Sequence, residues 1–120
     1  SLIRAHGARS MHHTCGSVFS LIPRLIEAGV DILNPIQPTA FQMEPERLKA
    51  AYGDKITFWG GIDTQEVLPR GSRARVAEHV REVLDVFGRD GGYVFAPAHV
   101  IQTDVPPENI LAMYEAARTH

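Results

Sequence analysis

The sequence predicts an α/β fold of four consecutive βα units, the C-terminal half of a (β/α)8 TIM barrel. Short runs rich in Ile, Val and Phe alternate with segments whose apolar residues recur at helical spacing. The unit repeats about every 30 residues, the rhythm of a barrel, and 120 residues hold four such units. The apolar runs are brief and nearly continuous, as parallel strands buried on both faces should be. An open doubly wound sheet is the competing architecture for the same alternation.

Each element has its own warrant. Residues 1–6 read as the tail of a helix begun earlier. With Ser rather than Met at position 1, the chain is expected to be a fragment of a longer protein. Residues 10–14 form a short strand after a turn at Gly7. Residues 18–28 are helical, with Leu21, Ile22, Leu25 and Ile26 on one face and Gly29 as the stop. Pro23 delays the start of the regular helix. Residues 30–33 are the second strand, ended by Asn34-Pro35. Pro45 suits the first position of a helix running to Tyr52 and closed by Gly53.

Residues 55–59 are the third strand, ended by Gly60-Gly61. Ser72 is a good N-cap for a helix striped by Val76, Val80, Val83, Leu84 and Phe87 and closed by Gly88. Residues 92–96 are the fourth strand. Pro106-Pro107-Glu108-Asn109 opens the last helix, whose apolar face is expected to carry Ile110, Met113, Tyr114 and Ala117. Residues 34–44 form the longest irregular stretch, and their place after a strand suits an active-site loop.

Composition narrows the function classes. Hydrophobic residues make up 44% and charged residues 22%, with a formal net charge of −2 and a pI near 6.3. These values suit a folded domain, and the absence of a basic stripe argues against nucleic acid as a partner. No apolar run approaches a membrane span. One cysteine, Cys15, makes no internal disulfide, which fits a reducing, cytoplasmic setting. Half a barrel exposes two sheet edges and an apolar face. It is therefore expected to pair with its missing half or to self-associate.

Ligands of parallel α/β folds bind beyond the C-terminal ends of the strands. Four polar patches fall there: His12-His13-Thr14-Cys15-Gly16, Asn34-Pro35-Ile36-Gln37, Gly60-Gly61-Ile62-Asp63 and Ala98-His99-Val100-Ile101-Gln102. His13 and Cys15, two apart on a strand, point to one side and can share a metal ion. Zn2+ accepts imidazole and thiolate, and a catalytic zinc has three protein ligands and an open position. His99, after the fourth strand at the same end, is the candidate third ligand. Such a metal would deprotonate Cys15, and its open position could activate a substrate thiol.

Plainer readings stand beside these. Cys15 also reads as a small buried hydrophobe, and His12 as pointing outward. His99 reads as a general acid or a substrate hydrogen-bond donor without metal. Gly60-Gly61 reads as a tight turn, Asp63 as an N-cap for residues 65–68, and Asn34 as turn chemistry. His6, His79 and His120 are expected to face solvent.

Three stretches, MHHTCGSVFSLIPRLIEAGVDILNPIQ, FWGGIDTQEVLPRGS and GGYVFAPAHVIQTDVPPENILAMYEAAR, resemble the uroporphyrinogen decarboxylase superfamily in order and spacing. The resemblance implies a (β/α)8 barrel about three times this length, with this chain as its last four units. It implies a small-molecule substrate and one of two activities. One branch removes the acetate carboxyls of uroporphyrinogen III without a cofactor. The other comprises zinc-dependent methyltransferases that activate a thiol and take a methyl group from a corrinoid protein.

His13 and Cys15 match the methyltransferases' H-x-C zinc pair. His99 falls near their third ligand, a Cys, and also matches a substrate-contacting His of the decarboxylases. The expectation is therefore a methyltransferase-like enzyme with His13, Cys15 and His99 as zinc ligands and His99 also as the catalytic residue. Asn34, Gln37, Asp63 and Gln102 are the candidate substrate-binding residues. Porphyrinogen decarboxylation is the alternative, and a non-catalytic half-barrel assembly module is the alternative of another class. Half a site does not position substrate to the tolerance catalysis needs, so the fragment alone is expected to be inactive.

Overall fold

The computed structural model describes residues 2–120; Ser1, the first residue of the expected helix tail, lies outside them. The strands are β1 (Met11–His13), β2 (Ile32–Ile36), β3 (Thr57–Ile62) and β4 (Tyr93–Pro97). The helices are α1 (Leu2–Ala5), α2 (Ile22–Glu27), α3 (Pro45–Tyr52), α4 (Val67–Arg70), α5 (Arg73–Phe87) and α6 (Pro107–Thr119). A 3-10 turn, Phe19–Leu21, precedes α2, and Pro23 sits in the first turn of that helix, as the sequence requires.

The four strands are all parallel and lie in the order β1-β2-β3-β4. That order decides between the two architectures. A doubly wound sheet reverses its strand order at a switch point, whereas a barrel adds each strand beside the last. With the right-handed crossovers that parallel strands almost always use, such an order places the helices on one face. The sheet is part of a (β/α)8 barrel, with β1 and β4 as its edges.

The core lies between this sheet and the helices. Leu33 and Phe58 from adjacent strands are fully buried with Val76, Val80 and Phe87 of α5. Phe87 bridges Phe58 and Tyr93 at ring-centroid separations of 5.2 Å each. Side chains of this size each contribute about 1.5–3 kcal/mol when buried. Ile32, Asn34, Thr57 and Trp59 alternate with the buried positions and remain half-exposed on the opposite face. Ser72 caps α5 by accepting from the Arg75 amide at 3.2 Å.

Two strands extend past their expected ends. Asn34-Pro35 lies inside β2, where the register shifts between Leu33 and Ile36; this irregularity accommodates the amide hydrogen that Pro35 lacks. Gly60-Gly61 lies inside β3, with φ of +125° and +94°. Pairing with β4 continues through both glycines to Ile62, so ladder bonds override the local turn signal. The buried stripe of α6 is Asn109, Ala112, Met113 and Ala116. Tyr114, expected on that face, is instead exposed and meets the Phe95 ring edge-on at 6.0 Å. No helix among the described residues is long and apolar enough to cross a membrane.

Candidate functional site

The C-terminal ends of the strands carry two groups of polar side chains. The first is built by β1 and β2. His13 pairs with Asn34 in register, and the Thr14 amide extends the ladder by donating to the Asn34 carbonyl at 2.8 Å. Side by side on adjacent strands, the His13 Nδ1 and Asn34 Oδ1 come within 2.7 Å. An amide oxygen only accepts, so Nδ1 donates this bond, and in the neutral imidazole Nε2 is left bare. That bare nitrogen lies 3.6 Å from the Cys15 Sγ.

Strand alternation puts His13 and Cys15 together on the exposed side, with His12 and Thr14 more covered. Cys15 is exposed, which overturns its reading as a buried hydrophobe. Asn34 is thus more than turn chemistry, because it sets the tautomer of His13. Just beyond, the Gly16 amide donates to the Gln37 Oε1 at 2.6 Å. The β1–β2 contacts therefore join four sequence-predicted residues: His13, Cys15, Asn34 and Gln37.

The second group surrounds a hollow of about 430 Å3, lined by Gln37, Thr64, Gln65, His99, Gln102 and Asp104, with Val100 beside them. The loops after β2, β3 and β4 all contribute. His99 and Gln102 are exposed here, and Gln37 connects the hollow to the β1–β2 group. Another hollow of about 520 Å3, which includes Arg9, Asp31 and Lys55, lies at the opposite ends of the strands. That end serves stability in this architecture.

Zn–N of about 2.0–2.1 Å and Zn–S of about 2.3 Å at a tetrahedral angle imply an N···S span of about 3.5 Å. The His13–Cys15 separation of 3.6 Å meets that span. The third ligand does not join them. Among the described residues no three His, Cys, Asp or Glu side chains converge as a metal site. His13 ends β1 and His99 follows β4, the two edge strands, with β2 and β3 between. Three strand spacings amount to about 14 Å. The set of His13, Cys15 and His99 therefore does not fit a zinc ion as a closed trio.

Asp63 lies elsewhere in the design. It is 4% exposed, and its carboxylate accepts from the amides of Gln65, Glu66 and Val67 at 3.0, 3.1 and 3.0 Å. It gathers the amides of the turn that leads into α4 and holds the Gln65 loop in place; the N-cap position itself falls to Glu66, because the helix starts at Val67 rather than at the expected residue 65. Its own amide donates to the His79 Nε2 at 3.1 Å. His79 is therefore not the solvent-facing residue expected from sequence. Burial, aided by the Arg75 charge, pushes its pKa below the usual histidine value, against the pull of Asp63 and Glu82. His6 and His120 are exposed as expected.

Sequence reasoning missed Thr64 and Gln65. Both are polar residues just past β3; Gln65 was read into the short helix expected over residues 65–68, and Thr64 was given no role.

The family model for uroporphyrinogen decarboxylase (URO-D) matches residues 2–120. The chain belongs to this family. A uroporphyrinogen decarboxylase of Vibrio vulnificus (strain YJ016) is 41% identical over 69 residues, covering 57% of this chain and 19% of the relative. One from Pseudoalteromonas atlantica is 32% identical over 75 residues, 62% of this chain and 21% of the relative. One from Methylococcus capsulatus is 30% identical over 92 residues, 77% of this chain and 25% of the relative. The match thus spans 19–25% of the length of these curated relatives. Family membership agrees with a sheet that forms part of a barrel.

Proposed function

We propose that this chain forms the C-terminal part of the mouth of an enzyme that removes carboxyl groups as CO2 from a uroporphyrinogen-type substrate. What carries the reading is the family match, which runs through residues 2–120 and so includes the His99 loop, among relatives that bear the decarboxylase name. The geometry is compatible. His99 opens onto the hollow beside Gln37 and Gln102, where an imidazole can hydrogen-bond a carboxylate or polarise the substrate with no metal. The unpaired edges of β1 and β4 would join the remaining strands of the barrel.

The test is anaerobic incubation of the full-length enzyme with uroporphyrinogen after exhaustive chelation. The expected result is a product short of its acetate carboxyls, with His99→Ala losing turnover. A folded enzyme that yields no decarboxylated product overturns the reading.

A second reading is favoured by one observation, the 3.6 Å spacing of His13 and Cys15. Those two donors would hold zinc with a third donor outside the set described above, and the bound metal would serve thiol activation for methyl transfer from a corrinoid protein. Metal analysis of the full-length enzyme with and without Cys15→Ser tests it. Zinc retained at full stoichiometry by the variant removes Cys15 from the ligands.

A further inference from the structure

We propose that Gln37 and Gln65 form a pair of amide donors that receives a carboxylate arm of the substrate; for the identity of that substrate the proposal rests on the decarboxylase reading. A glutamine side chain carries an acceptor oxygen and a two-hydrogen donor, and an unconstrained one presents either. Here Gln37 is constrained by a main-chain donor, while Gln65 is placed by a hydroxyl that donates to its oxygen but could also accept. The Oε1 of Gln37 is taken by the Gly16 amide at 2.6 Å. The Oε1 of Gln65 is taken by the Thr39 hydroxyl at 3.3 Å. Both residues line the same hollow of about 430 Å3. Among the described residues neither Nε2 donates to a protein acceptor, so both NH2 groups remain for a ligand.

The backbone supports this orientation. Gln65 is fixed because its amide is held by Asp63 at 3.0 Å. Gln37 follows β2 directly and is tied to the β1 loop through Gly16. The result is a donor surface on the β2 and β3 side of the hollow, with both carbonyl oxygens engaged by the protein. Hydrogen bonds to an ionised acceptor are stronger than those to a neutral one, so a carboxylate is the group this surface selects. Asp104 lines the hollow from the β4 side. Its negative charge disfavours an anion there and confines the arm to the glutamine side. The pair governs which arm enters, and it binds substrate without taking part in bond breaking.

Glutamate substitutions test the pair with little change of shape. In Gln37→Glu and Gln65→Glu one carboxylate oxygen still accepts from Gly16 or Thr39, while the NH2 donor is replaced by a second, anionic acceptor. The experiment titrates the full-length enzyme and each variant with uroporphyrin, an unreactive oxidised polycarboxylate, and with its octamethyl ester. Each glutamate variant is expected to weaken uroporphyrin binding about tenfold or more and to weaken binding of the ester, whose carbonyls are neutral acceptors, much less. Gln65→Ala, which removes the donor together with the Thr39 contact but adds no charge, should fall between wild type and Gln65→Glu.

Unchanged uroporphyrin affinity in both glutamate variants overturns the proposal. So does equal loss for acid and ester, which marks a structural role, and so does a wild-type enzyme that does not bind uroporphyrin. Uroporphyrinogen turnover by wild type is read separately. Variant-sensitive binding without turnover upholds the donor pair and fails the decarboxylase reading, and turnover with insensitive binding does the reverse.

Discussion

The Nδ1 of His13 lies 2.7 Å from the Oδ1 of Asn34 across the β1–β2 pair, and this contact aims the bare Nε2 of His13 at Cys15. The arrangement resembles the way an outer hydrogen-bond partner orients a metal-ligating imidazole. Under the thiol-chemistry reading, Asn34→Ala should weaken Zn2+ binding at Cys15 about 10–100-fold, whereas Asn34→Asp, which keeps an acceptor, should weaken it less. Equilibrium dialysis of the full-length enzyme measures this. Equal affinity in wild type and Asn34→Ala would separate Asn34 from any role in that site.

At the other end of the strands, Asp31 accepts from Arg4 and from the Ser10 amide at 2.9 Å. The hydrogen bond from Arg4, then that from Ser10, holds its carboxyl well below the usual carboxylate range. A carboxylate depressed in the folded state favours folding above its unfolded pKa, about 3.9, and that contribution fades as pH falls toward the folded value. Thermal melts should therefore show stability dropping below about pH 4, with a shallower drop in Asp31→Asn. Parallel acid profiles for the two proteins would show that Asp31 is not the group responsible.

Helix periodicity was legible because packing obeys it: the spacing of Val76, Val80, Val83 and Phe87 in sequence is the spacing of the buried face of α5. Strand ends were less legible. Asn34-Pro35 and Gly60-Gly61 are turn chemistry locally, and only pairing with neighbouring strands keeps them in the sheet. Candidate site residues were legible as polar groups at or just past a strand end, as with His13, Asn34, Gln37 and His99, but Thr64 and Gln65 have the same placement and were passed over. Partnerships within the site were not legible, since His13 to Asn34 and Gly16 to Gln37 are contacts between strands 21 residues apart. The separation of His99 from His13 and Cys15 depends on strand order, which spacing along the chain does not encode. His79 was misread because α5 has a second contact side, facing the Asp63 loop.

That loop gives a pH prediction of its own. The His79 Nε2 accepts from the Asp63 amide, so only the neutral imidazole fits, and burial lowers its folded pKa. Above the unfolded value of about 6.5 both states are neutral and nothing is lost. As pH falls below it, the unfolded chain takes up a proton that the folded chain resists, and stability declines until the folded pKa is passed. His79→Gln, whose amide oxygen can still accept, should flatten this decline between about pH 6.5 and 5. Denaturant midpoints across that range decide it, and identical slopes for wild type and variant would clear His79.

Gly60 sets how closely β2 and β3 approach at the mouth. Its φ is +125°, and a Cβ there would meet the backbone nitrogen of Ile36 at 2.8 Å and its carbonyl oxygen at 3.2 Å. Neither atom belongs to a flexible side chain, so relief requires moving a strand. Gly16, at φ +79°, has nothing within 4 Å of such a Cβ, so its alanine variant meets only the conformational cost of positive φ, about 1–2 kcal/mol. Gly60→Ala should therefore destabilise more than Gly16→Ala, beyond the roughly 1–3 kcal/mol of backbone strain alone. It should also impair activity, because Ile36 leads directly into Gln37. Urea unfolding and turnover of the two variants in the full-length enzyme provide the comparison. Equal destabilisation would mean that β2 yields freely at Ile36, and that the close approach of the two strands does not hold Gln37 in place.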